Sequence, residues 1–294
     1  MKIHLPKSCP FNLDVTLCCG QVFRWAKKDE GWYGVTRDTA FKIKQTDDEL
    51  HFENVDTGFV KDYFGLSDDL VRILSEINKD ERINRAVHNL AGLRILHQDP
   101  WECLISYICA TYKNIPAIKH MLLNLSRKMG EEILVDDERL YTFPTPSRLA
   151  KASMKDLTDC GLGYRARYIL ETARMVHERV INTDELQEMT YDKARKELLK
   201  LSGVGLKVTD CVLLFSLRKL EAFPIDVWMR RVLIRNYSNH FSKDFVKRIS
   251  TGKSFSNSEY NKLNAFGREY FGKYAGYAQE YLFHYERMEK NALL

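Results

Sequence analysis

The periodicity of the chain changes once, near residue 60, and that change limits what it can fold into. Residues 20 to 54 divide into short aromatic and β-branched segments, GQVFRWAKK, GWYGVTR, AFKIKQ and ELHFENV. Gly31, Asp38-Thr39 and Asp47-Asp48 separate them with turn chemistry. Apolar residues alternate at Phe41 and Ile43 and again at Leu50 and Phe52, as in an antiparallel sheet with one face buried. No helical segment of useful length is expected to interrupt these strands. After about Val60 the spacing becomes helical, in DDLVRILSEI, RINRAVHNLAGL, PWECLISYICATY and IPAIKHMLLNLSRKMG. Pro100 fits the first turn of the third of these, with Asp99 as its cap. Further helices are expected in RLAKA, ARYILETARMVHERV, YDKARKELLKL, LKVTDCVLLFSLR, DVWMRRVLIRNY, YNKLNAFGREYF and from Ala275 onward, about ten in all. The expected class is α+β: an N-terminal antiparallel sheet domain with the first helices over residues 1–100, packed on a mostly helical body over residues 101–294.

Net charge is +5, from 45 basic and 40 acidic residues, a mild excess that permits a basic face without requiring one. No run of about 18 apolar residues exists, so no transmembrane helix is expected. The N-terminus, MKIHLPKSCPF, has no apolar core of signal-peptide length. With the short termini this points to a cytoplasmic, prokaryotic protein without a membrane partner, expected as a monomer. The seven cysteines include no C-x-x-C pair, and none follows Cys211, so no metal site is expected and reduced thiols are.

The stretch that carries chemistry runs from Leu201 to Val232, LSGVGLKVTDCVLLFSLRKLEAFPIDVWMRRV. Gly203-Val204-Gly205 forms a tight turn between two helical patterns, and such a turn presents backbone N–H groups to an anion. A helix–hairpin–helix over 202–207 binds the sugar-phosphate backbone without reading sequence. Basic residues follow at Arg218, Lys219, Arg230, Arg231 and Arg235; the plainer reading is a corner between helices with a solvated basic face. Lys207 opens the second helix. It is a phosphate anchor or a nucleophile, and as a nucleophile it must be neutral when it attacks. Asp226 suits both an N-cap for VWMRRVL and an acidic partner to that lysine, and capping would fix its carboxylate.

LSGVGLKVTDC followed by PIDVWMRRV resembles the helix–hairpin–helix Gly/Pro–Asp superfamily of DNA glycosylases. The likeness to the 8-oxoguanine DNA glycosylase/AP lyase family spans nearly the whole chain, through GQVFRW, KDYFGL, HQDPWECLISYIC, GLGYRARYI and YAGYAQEYLF in the same order. It implies a sheet domain related to the TATA-binding-protein fold and a substrate of double-stranded DNA containing oxidised guanine. Lys207 would be the nucleophile and Asp226 its partner. The Gly20 carbonyl would accept the N–H at N7 that distinguishes the oxidised base, Gln279 would read its Watson–Crick edge, and Phe283 and Cys211 would sandwich the ring. Gln279 and Phe283, four apart, can line one pocket from one helix face.

Contacts to DNA or to the opposite base are implied at Asn114, Tyr164, Arg165, Gly203, Gly205 and Trp228. Three positions depart from the better-known relatives. Trp228 stands where they carry histidine, Asn114 is the one asparagine of YKNIPA, and Ala117 occupies an arginine position. A relaxed preference for the opposite base is therefore expected. The absence of cysteines beyond Cys211 excludes the iron–sulfur cluster of endonuclease III-type relatives, and no other cofactor is implied. Hairpin carbonyls in this module often hold a monovalent cation, which no residue here identifies. Two alternatives remain: a glycosylase for a different lesion, and a non-catalytic DNA-binding protein.

Overall fold

A computed structural model describes residues 1–29, 31–252 and 256–291. Five antiparallel strands form the N-terminal sheet: β1 (Lys2–His4), β2 (Trp25–Lys28), β3 (Gly31–Thr36), β4 (Thr39–Thr46) and β5 (Glu49–Phe52), in the order β1-β5-β4-β3-β2. Trp25, Trp32, Phe41, Ile43, Leu50 and Phe52 share a core with Val60, Tyr63 and Phe64 of the helix Thr57–Tyr63 and the residue that caps it. The indole of Trp25 donates to the Tyr63 hydroxyl at 2.9 Å, so even the polar atoms of this core are paired.

The sheet corrects two sequence expectations. Its second face is covered as well: Tyr33, Val35 and Ala40 pack on Val135, with Ile133 and Leu140 beside it, all three on the hairpin of β6 (Glu132–Val135) and β7 (Glu138–Tyr141). Consequently every residue of β3 is buried. Residues 20–24 are not strand; they form the connection between the helix Leu13–Cys18 and β2. Gln21 explains why, because its fully buried side chain serves that loop and its neighbours. Its amide donates to Thr16 O at 3.1 Å and Arg94 O at 2.8 Å, and its Oε1 accepts Leu96 N at 2.8 Å. A segment whose polar atoms are satisfied this way has no need of a ladder partner.

Sixteen α-helices occur among the described residues, against about ten expected. Those missed include Leu13–Cys18, Thr57–Tyr63, Met154–Asp159 and Thr183–Glu188, which are too short for a helical period to register. Pro100 and Asp99 do sit where expected, Asp99 accepting Glu102 N at 2.9 Å at the start of Pro100–Cys109. One continuous core joins the helices Leu70–Ile77 and Glu81–Asn89 to Pro100–Cys109, Leu206–Phe215, Val227–Asn236 and the first turns of Ala275–Asn291.

The sheet and the helical body are stitched at the strand-to-helix boundary. Gln98 N donates to Phe215 O at 2.9 Å, while its side chain donates to Gln21 O at 2.7 Å. Arg94, fully buried, donates to Pro10 O at 3.1 Å, to Asp68 O at 3.0 Å and to Gly65 O, holding three loops by their carbonyls. The seven cysteines are unpaired, and among the described residues no helix is long and apolar enough to cross a membrane.

Candidate active site

The helices Tyr191–Leu198 and Leu206–Phe215 meet at the expected hairpin turn. Gly203 has a φ of +74°, and a Cβ there would lie 2.6 Å from that of Tyr168, so the turn presses on the helix Arg165–His177 as only glycine permits. Ser202 seals that contact: its carbonyl accepts from Thr172 Oγ1 at 2.9 Å and its hydroxyl donates to Glu171 Oε2 at 2.6 Å. Gly205 is the exposed N-cap of Leu206–Phe215, with no side-chain cap and nothing within 4 Å of where a Cβ would stand. The first N–H groups of that helix therefore have no side-chain acceptor, which suits an anion.

Lys207 is half-buried, its Nζ 4.6 Å from the centroid of the Tyr107 ring. One turn on, burial pushes the Cys211 thiol up to about 12, with Lys207 beside it pulling the other way. Asp226 is the N-cap of Val227–Asn236, its Oδ1 accepting Trp228 N at 2.9 Å and Met229 N at 2.8 Å. Two amide bonds to one oxygen hold the carboxylate in place. Burial raises its affinity for a proton, opposed by the Met229 amide, Lys207, the Trp228 amide and Arg287.

The opposite wall comes from both ends of the chain. Gly20 has a φ of +107°, and a Cβ there would meet Arg287 Nη1 at 2.7 Å and Phe283 Cε1 at 3.4 Å. Arg287 lies over the Phe283 ring, 5.2 Å from its centroid, and donates to Cys19 O. Gln279, one turn before Phe283, is buried, and its Oε1 has no hydrogen-bond partner. Tyr107 connects the two walls: its hydroxyl donates to Gln21 O at 3.1 Å while its ring faces Lys207.

A second cluster lies on two neighbouring loops. Tyr112, with a φ of +53°, is 90% exposed, and Tyr164 is 55% exposed at the start of Arg165–His177. Arg165 is buried, packs 4.4 Å from the Tyr164 ring centroid and donates to Thr111 O, so it ties the two exposed tyrosines together through their chain neighbours. Asn114 caps Ile115–Met129 by accepting Ala117 N at 3.0 Å. Trp228 is half-buried between Arg231 and Lys290, which lie 5.5 and 5.2 Å from its ring.

Residues 2–104 match the 8-oxoguanine DNA glycosylase N-terminal domain, and residues 105–251 match the HhH-GPD superfamily of base excision DNA repair proteins. The chain belongs to the 8-oxoguanine DNA glycosylase family. A Methanothermobacter thermautotrophicus protein named "Probable N-glycosylase/DNA lyase" is 34% identical over 71% of this chain and 68% of its own length. The apo 8-oxoguanine glycosylase/lyase of Clostridium acetobutylicum superposes with a TM-score of 0.84 at 31% identity, covering 94% of this chain and 93% of that one. The same enzyme in complex with double-stranded DNA, cytosine standing opposite 8-oxoguanine, gives 0.86 at 29% identity, with 99% and 98% covered.

Within this family member, four residues around the site escaped the sequence reading: Gln21, Tyr107, Glu280 and Arg287. The first three lie inside quoted family blocks, but nothing in their spacing marks a polar side chain turned inward. Among the described residues, no group of three or more His, Cys, Asp or Glu side chains is arranged to hold a metal. Glu280 is buried beside Gln279, its Oε1 unpartnered, and burial pushes its carboxyl up to about 7 against the Cys19 thiol and Arg287. An ordinary glutamate titrates near 4.3, so protonated Glu280 contributes stability that is complete below about pH 4 and lost as pH rises through about 7. Glu280→Gln is expected to raise stability at pH 8.5 by on the order of 1–3 kcal/mol, the gain fading toward pH 5. Thermal melts across that range check it; a difference independent of pH would contradict it.

Proposed function

We propose that the protein is a bifunctional DNA glycosylase and AP lyase that excises 8-oxoguanine from duplex DNA in base excision repair. The observation that supports this most is the position of Lys207 over the Tyr107 ring, whose hydroxyl is bound to the loop that begins at Gly20, with Phe283 beside Gly20 and Lys207 near enough to Asp226 to oppose its protonation. The DNA backbone lies against the exposed hairpin at Gly203 and Gly205, and the target nucleotide leaves the stack because its C1′ is shielded inside the duplex. Tyr164 fills the stack that the nucleotide vacates. The Gly20 carbonyl accepts the N7–H of the oxidised base; guanine would set its own N7 acceptor against that oxygen, leaving both unpaired. Gln279 meets the Watson–Crick edge, and Cys211 and Phe283 hold the two ring faces.

In this reading neutral Lys207 attacks C1′. The Nζ–C1′ bond forms as the C1′–N9 bond breaks, and the base departs with the electron pair and takes up a proton. Asp226, held by two amides, opposes the positive charge that develops on the sugar. Ring opening gives the Schiff base, loss of a C2′ proton expels the 3′ phosphate, and hydrolysis frees the lysine. Trp228 keeps Arg231 and Lys290 at the rim, where they neutralise phosphate charge. A duplex-DNA substrate would hold the enzyme at the DNA of its cell.

Opposite-base selection rests on few groups. Ala117 has no hydrogen-bonding side chain, and Asn114 spends its oxygen on a helix cap. We expect single-turnover excision opposite adenine, guanine and thymine to stay within about tenfold of that opposite cytosine, a spread of about 1.4 kcal/mol. A drop of several hundredfold for every base but cytosine would refute this. Borohydride reduction with 8-oxoguanine DNA is expected to trap a covalent adduct. Lys207→Gln should abolish the adduct and cut excision on the order of 10³-fold or more; wild-type protein without an adduct would remove the lyase mechanism.

A further inference from the structure

One buried cluster behind the hairpin has no part in the chemistry described so far. Asp210, three residues after Lys207 on the same helix, is fully buried. Its Oδ1 accepts the Tyr191 hydroxyl at 2.6 Å, and its Oδ2 accepts the Tyr260 hydroxyl at 2.6 Å and Asn264 Nδ2 at 3.1 Å, with Arg195 Nε 3.8 Å away. A carboxyl this deep is expensive to bury even when fully paired, and apolar residues would fill the space at less cost. Stability alone does not explain it.

Tyr260 differs from the other donors in what else it touches. Its hydroxyl oxygen accepts Ile225 N at 3.3 Å and lies 3.3 Å from Leu206 O. Ile225 immediately precedes Asp226, and Leu206 immediately precedes Lys207. The single hydroxyl proton points mainly to Asp210, by the shorter bond. Leu206 O is the second, longer acceptor of that proton, and the oxygen's lone pair is left for Ile225 N. Asn264 reinforces the same loop by donating to Phe223 O at 2.9 Å. One side chain, oriented by Asp210, thus sits between the residue that precedes the lysine and the residue that precedes the aspartate.

We propose that Tyr260, held by Asp210, is a positioning residue that sets the spacing between Lys207 and Asp226. This rests on the catalytic reading of those two residues given above. Small displacements of reacting groups cost large factors in rate while leaving ground-state binding intact.

Tyr191 supplies a matched control. Tyr191→Phe and Tyr260→Phe each remove a hydroxyl bond of 2.6 Å to the same carboxylate, but Tyr191 reaches neither Leu206 nor Ile225 in this structure. Single-turnover excision of 8-oxoguanine, affinity for a duplex carrying a non-reactive abasic analogue, and melting temperature are measured for both. Tyr260→Phe is expected to slow excision by about 10- to 100-fold with affinity changed less than about twofold. Tyr191→Phe should keep its rate within about threefold. In an Asp226→Asn background the Tyr260→Phe effect should shrink to about twofold or less, because the spacing it maintains no longer matters. Equal rate losses for the two tyrosines, or full additivity with Asp226→Asn, would overturn the proposal. Asp210→Asn keeps the shape of the cluster and loosens Tyr260; a wild-type rate from it would do so too, even if Tyr260→Phe proves too unstable to assay. Failure of the wild-type protein to excise or to trap would instead remove the catalytic reading itself.

Discussion

The hydrogen bond from the Tyr107 hydroxyl to the Gln21 carbonyl is the contact on which the site depends, because it spans the two halves of the molecule. On one side Gln21 fixes the loop that begins at Gly20, its side chain bound to three backbone atoms in two segments and its carbonyl shared with Gln98. On the other, Tyr107 stacks on Phe215 at the end of the hairpin helix, ring centroids 5.6 Å apart, and lies beneath the Lys207 ammonium. The loop that begins at Gly20 and the helix that carries Lys207 are therefore referenced to one aromatic ring. In the catalytic reading this matters because recognition at N7 and attack at C1′ are events on one nucleotide. Errors between the two walls would be lost in rate.

The recess also carries polar groups left incomplete. Gln279 Oε1 and Glu280 Oε1 are buried without partners, although such groups are costly in a folded protein. A pocket meant to hold a polar heterocycle has to keep some hydrogen-bonding capacity unspent, and Gln279 stands where a base edge would use it. Glu280 sits deeper, against Cys19 and Arg287, and the nearby charges of Asp226 and Lys207 reach it. Behind the pocket the opposite rule holds. Asp210 is surrounded by donors, and Arg94 is matched to several carbonyls.

Much of this was legible from the residues. Gly203, Gly205, Lys207 and Asp226 lie within a single stretch, and turn and cap chemistry alone placed the aspartate at a helix start, where it is. Gly20, Gln279 and Phe283 were legible only through the family likeness, since no local pattern links positions near the two ends of a chain. What remained hidden has common physical causes. Gln21 sits among aromatic residues and reads as part of a strand, yet its amide replaces the ladder. The β6–β7 hairpin covers the sheet's second face, a long-range event that alternation in β3 does not announce. Asp210 and Tyr260 look like a solvated residue on one helix and an aromatic on another; only the packing brings them together at 2.6 Å. Short helices such as Thr183–Glu188 carry too few residues to display a period.

The central claim is that the recess selects the oxidised base through the Gly20 carbonyl before Lys207 acts. Binding of the Lys207→Gln variant to otherwise identical duplexes with 8-oxoguanine or guanine at the target position separates recognition from chemistry. Affinity for the lesion duplex higher by on the order of tenfold or more is expected, the cost of burying two facing acceptors in the guanine complex. Equal affinities for the two duplexes would contradict the claim.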